Sequence, residues 1–68
     1  MENYQVICTF LCVTLRQTRQ YRDLESLDHV QEGSERYVVA KFTSGATRKI
    51  TVTADSGIAM IKDILRNL

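Results

Sequence analysis

The sequence predicts a small α+β domain. Its core is a three-stranded sheet, built from an N-terminal strand and a C-terminal β-hairpin. Two helices complete it, in the order β-α-β-β-α. Three observations carry this expectation. Residues 37–42 (YVVAKF) and 48–53 (RKITVT) are rich in β-formers and flank a turn that contains Gly45. Ile58, Ile61, Ile64, Leu65 and Leu68 recur at helical spacing. Residues 6–15 (VICTFLCVTL) form a nearly unbroken apolar run. The chain has 68 residues, 44% of them apolar, so the whole of 1–68 is read as one domain. That length excludes a multidomain enzyme and the large Rossmann or barrel catalysts.

The N-terminal run is degenerate in period, because apolar side chains fall at almost every position. Val6, Ile7, Thr9, Phe10, Val13 and Thr14 are β-branched or aromatic and favour a strand. The rival assignment is a helix over residues 3–20. A strand apolar on both faces is central in a sheet, or turns one face to a second subunit. Ile7, Leu11 and Val13 are therefore candidates for self-association.

Residues 22–32 predict a short acidic helix. Leu24, Leu27 and Val30 are spaced by three, Asp23 and Glu25 suit a helix N-terminus, and Gly33 suits the position just past its end. In the hairpin, a two-residue Ser44–Gly45 turn would set Tyr37 opposite Val52 and Val39 opposite Ile50. A three-residue loop would set Val38 opposite Val52 and Ala40 opposite Ile50. The longer loop is preferred, since it leaves Lys41, Thr43, Thr47, Lys49, Thr51 and Thr53 together on the polar face. Asp55 or Ser56 then caps the last helix.

Nine Lys and Arg against eight Asp and Glu give a net charge of +1. The charge is unevenly distributed. Residues 1–22 carry +2, residues 23–35 carry −5, residues 36–54 carry +4, and residues 55–68 are neutral. Two readings of the charge follow. Asp23, Glu25, Asp28 and Glu32 on one helix could imitate a phosphate track for a basic protein partner. The triplet Arg16, Arg19 and Arg22, extended by Arg48 and Lys49 on the hairpin, could instead contact a nucleic-acid backbone. Near-neutral net charge argues against the second reading, since small nucleic-acid binders are usually basic.

Catalysis is not expected. The single His29 lies beside Asp28, with no nucleophile-base-orienter set around it. Cys8 and Cys12 sit in the most apolar stretch, where the thiol form is favoured over the thiolate. They are four residues apart; on a strand that is ~13 Å, beyond the roughly 7 Å reach of a disulfide. Free cysteines suit a cytoplasmic setting. One histidine and a C-x-x-x-C spacing do not make a metal site. No glycine-rich phosphate loop occurs, and no cofactor is expected. The apolar run follows an acidic start rather than a basic one, and its ten residues fall short of the about 20 needed to cross a bilayer.

The expectation is a non-enzymatic protein-interaction module, self-associating as a homodimer, with its charged blocks facing another protein. Short autonomous chains of this kind are often regulators or inhibitors, including those encoded by phages and mobile elements. The alternative is a small nucleic-acid-binding protein using Arg16, Arg19, Arg22, Arg48 and Lys49.

Overall fold

A computed structural model describes residues 3–52 and 56–68. The order of elements is α1 (Tyr4–Arg16), β1 (Leu24–Glu32), β2 (Glu35–Phe42), β3 (Thr47–Thr51) and α2 (Gly57–Asn67). The class is α+β with two helices and three antiparallel strands, but the order is α-β-β-β-α. Both differences in element type lie in the N-terminal half, and each has a physical reason.

Residues 6–15 are helical, not a strand. Asn3 caps the helix by accepting a hydrogen bond from Val6 N at 3.2 Å. β-branched residues cost a helix only tenths of a kcal/mol each, which a cap and a buried stripe offset. Here Cys8, Cys12 and Leu15, at helical spacing, are buried. Thr9 and Thr14 donate their hydroxyls to the carbonyls of Gln5 and Phe10, at 2.9 and 3.0 Å. The helix ends before residue 20 because Thr18 intervenes. Its hydroxyl donates to Leu15 O at 2.6 Å and accepts from Tyr21 N at 3.3 Å.

Residues 24–32 form a strand, not the expected acidic helix. The misleading signal was the three-residue spacing of Leu24 and Leu27. In the sheet, Leu24 pairs with Phe42 and Ser26 with Lys41, so Glu25 is an extra residue in a β-bulge. The bulge returns Leu24 and Leu27 to one face, and they are 0% and 2% exposed. Val30, opposite Tyr37, lies on the other face. Gly33 does not end a helix. With Ser34 it makes the two-residue turn between Glu32 and Glu35, and its φ of 61° at the first turn position fits a type II′ hairpin.

The second hairpin is present, with a three-residue loop. Phe42 O accepts from Gly45 N, and Phe42 N donates to Ala46 O, both at 2.9 Å. Gly45, at φ 92°, occupies the bulge position that closes such a loop. The loop therefore begins at Thr43. Val38 faces Ile50 and Ala40 faces Arg48, a shift of two residues from the predicted pairing. A shift of two preserves the faces: Val38, Ala40, Ile50 and Val52 are all buried.

Ser56 caps α2 by accepting from Ala59 N at 3.2 Å; Asp55 and Thr53 lie outside the described residues. The buried stripe of α2 is rotated from the predicted one. Met60 and Ile64 are fully buried, whereas Ile58 and Leu65 are exposed. The strands form a meander in the order β1-β2-β3. Both helices cover the same sheet face, because one core joins Cys8, Cys12 and Leu15 of α1, Met60 and Ile64 of α2, and alternate strand residues.

α1 also closes an edge of the sheet. β1 is an outer strand, and its outward groups are a hazard for unwanted pairing. The Gln5 amide supplies both partners there: Oε1 accepts from His29 N at 2.9 Å, and Nε2 donates to Leu27 O at 3.2 Å. Gln5→Ala is expected to cost about 0.5–1.5 kcal/mol and to speed amide exchange at His29 by several-fold. Unchanged exchange at that amide would show that the side chain does not guard the edge.

Candidate interaction surfaces

The two helices have one side on the sheet and the other toward solvent. Among the described residues, the exposed large apolar side chains are Val6 (46%), Phe10 (71%), Val13 (52%), Ile58 (71%) and Leu65 (46%). All five are on helices, and on each helix their spacing places them opposite the buried residues, which are Cys8, Cys12 and Leu15 on α1 and Met60 and Ile64 on α2. On α1, Val6, Phe10 and Val13 follow i, i+4, i+7 spacing on the side opposite Cys8, Cys12 and Leu15. Of the expected self-association residues, Ile7 and Leu11 are half-buried against the core and Val13 is exposed. Val6 and Phe10 were missed, although a helical reading of residues 6–15 places them beside Val13.

The acidic residues do not share one face. Asp23 is exposed just before β1, where its carbonyl accepts from Thr43 N at 2.8 Å. Glu25 is exposed on the bulge. Asp28 is half-buried and accepts from Ser26 Oγ at 3.3 Å. Glu32 accepts from the Tyr37 hydroxyl at 3.0 Å. A helical phosphate track is therefore replaced by carboxylates strung along an extended strand, where each residue adds about 3.3 Å.

The basic residues divide differently. Arg16 ends α1, and Arg19 and Arg22 are exposed in the turn of residues 17–23. The bond from Thr43 N to Asp23 O joins that turn to the loop preceding β3. Arg48 is near the same end, donating from Nη1 to Asn67 O at 3.2 Å, at the negative end of the α2 dipole. Lys49 instead lies over the Tyr37 ring, 4.3 Å from its centroid, on the sheet face without helices.

No described group offers a nucleophile-base pair. Burial, followed by the charge of Asp28 and then of Cys12, pushes the Cys8 thiol up to about 11. Burial likewise raises Cys12, whose thiol donates to Glu25 O at 3.7 Å. Both cysteines are free. A groove of about 190 Å³ between α1 and β1 is lined by Cys12, Arg16, Glu25 and Asp28, among others. Among the described residues there is no group of three or more metal-ligating side chains. None of the described helices is long and apolar enough to cross a membrane.

His29 is not on a helix surface. It is half-buried on β1, stacked on Tyr4 with ring centroids 5.1 Å apart, and its buried Nε2 has no hydrogen-bond partner among the described residues. The Arg36 guanidinium lies 5.0 Å from the Tyr4 centroid. Burial, then the charge of Arg36, lowers the pKa of His29 from 6.5. The unfolded chain then binds the proton more readily than the folded one. Stability should fall as the pH drops below about 6.5 and stop falling, for this group, below the folded pKa. Urea unfolding across that range checks this. The His29→Phe variant should lose that part of the slope, and an identical slope in both proteins would refute the assignment.

Comparison with known proteins gives no match to this chain, whether to family models, to curated proteins or to solved structures.

Proposed function

We propose that this chain is a non-enzymatic protein-interaction module that pairs with a second copy of itself through the outer side of the helical layer. The observation that carries this reading is the gathering of Val6, Phe10, Val13, Ile58 and Leu65 on that one side. Exposed apolar side chains grouped on one side of a fold mark an interaction site more often than singly scattered ones. The α1 stripe also suits two-fold pairing. Val6 and Val13 flank Phe10 almost symmetrically, so antiparallel contact lays Val6 of one copy on Val13 of the other.

The energetics are of the right order. Fully burying such a side chain is worth about 1.5–3 kcal/mol. These five are roughly half to two-thirds exposed, so ten across a symmetric interface would contribute on the order of 10–20 kcal/mol. Association costs roughly 4–15 kcal/mol. In this reading the chain acts by occupying a partner, as a regulator or inhibitor does, and the charged residues of the rim select that partner.

Sedimentation equilibrium tests the pairing. The native chain should show a dimer mass at micromolar concentration. Phe10→Glu should give a monomer mass with an unchanged far-ultraviolet circular dichroism spectrum. A monomer mass for the native chain up to millimolar concentration would overturn the proposal.

A second reading rests on the basic end, where the turn bearing Arg19 and Arg22 adjoins the loop before Arg48. Arginine forks there suit phosphates. If they bind nucleic acid, titration with single-stranded and duplex DNA should show affinity falling steeply with salt, by a log–log slope of about −0.7 to −0.9 per phosphate contact. Arg19→Ala and Arg22→Ala together should reduce that slope. Absence of binding at low salt would eliminate this reading.

A further inference from the structure

The two edges of the sheet are treated differently. Gln5 closes the β1 edge at Leu27 and His29, and Cys12 adds its thiol contact to Glu25 O. The β3 edge is open. Phe42 N donates to Ala46 O, and Val52 N donates to Arg36 O at 3.0 Å. Antiparallel pairs alternate, so Ala46, Arg48, Ile50 and Val52 direct their backbone groups toward β2. Thr47, Lys49 and Thr51 then direct theirs outward. All three are exposed, and no described strand lies beyond β3 on that side.

A second observation lies beside this edge. An open cavity of about 470 Å³ wraps the end of β3, with Tyr37, Lys49, Thr51 and Arg36 among its lining. Among the described residues of its lining, the one carboxylate is Glu35. Strand addition uses these two features together: main-chain hydrogen bonds supply affinity, and an adjoining recess receives side chains.

We propose that the β3 edge receives an extended, acidic segment of another protein as a fourth strand. Charge selects this occupant. β3 (TRKIT) carries two cations and no anion, and Lys41 on β2 lies across from Thr47. A second copy is disfavoured in the register that overlaps β3 in full. Antiparallel pairing of two β3 strands about their middle residue sets Lys49 against Lys49, and like charges directly opposite repel. The chain's own acidic strand, β1, already has its edge taken by Gln5. An incoming glutamate opposite Lys49 forms a cross-strand ion pair, while a valine opposite Ile50 adds to the buried side. This surface is separate from the outer side of the helices, so the proposal stands or falls independently of the dimer.

The probe is a short blocked peptide that alternates valine and glutamate, with a valine–lysine peptide as its counterpart. Amide exchange by NMR on the native chain reads the result. The glutamate peptide should slow exchange at Thr47, Lys49 and Thr51 by about tenfold or more, leaving His29 unaffected. N-methylation of alternate peptide amides, in the register that points at β3, should abolish the effect. Lys49→Glu should reverse the preference in favour of the lysine peptide. The proposal is overturned if millimolar glutamate peptide leaves those three amides unprotected. It is equally overturned if both peptides protect them alike, or if the shifts map to Val6, Phe10 and Val13 instead.

Discussion

The bulge at Glu25 is the local feature on which the arrangement depends. A regular strand would send Leu24 and Leu27 to opposite faces. One extra residue brings both to the face that α1 covers, where they meet Cys8, Cys12 and Leu15 in a single core. A chain of this length has material for one core only, so every apolar residue on that face counts. The bulge also leaves Glu25 exposed at the edge. The same irregularity thus sets the docking of α1, and with it the position of Gln5 against Leu27 and His29.

Once α1 lies over β1, the rest of the surface is largely decided. The helix is apolar over most of its circumference, and the sheet can cover only one side of it. The excess appears as Val6, Phe10 and Val13, joined by Ile58 and Leu65 of α2. The polar strip of α1 is spent on the β1 edge. The molecule therefore presents three distinct surfaces: an apolar helical side, a mixed-charge open sheet face, and a β3 edge flanked by cations. In the proposals made above, the first serves self-association and the last receives an extended acidic partner. Neither needs chemistry from Cys8 or Cys12, whose thiols burial keeps protonated, or from His29, whose ring packs against Tyr4.

Legibility in the sequence followed the uniqueness of the local signal. The β2–β3 hairpin was legible because Gly45 and two β-rich segments point to one structure. Its loop started one residue earlier than expected, yet the buried face was right. The existence of α2 was legible from its cap and spacing, while its rotation was not, since apolar residues lie on both sides of the helix and the core takes Met60 rather than Ile58. The acidic candidates were assigned to a shared helical face, and the strand disperses them.

Composition and local pattern alone determined an α+β class, a glycine-closed hairpin, a capped C-terminal helix and an apolar excess near the N-terminus. Tertiary structure decided which N-terminal segment is helix and which is strand. Residues 6–15 have no period to read, and Leu24 and Leu27 imitate a helical period through a bulge that only pairing with Phe42 and Lys41 reveals. The choice rests on which assignment buries one continuous core, and that is a property of the whole chain rather than of either segment.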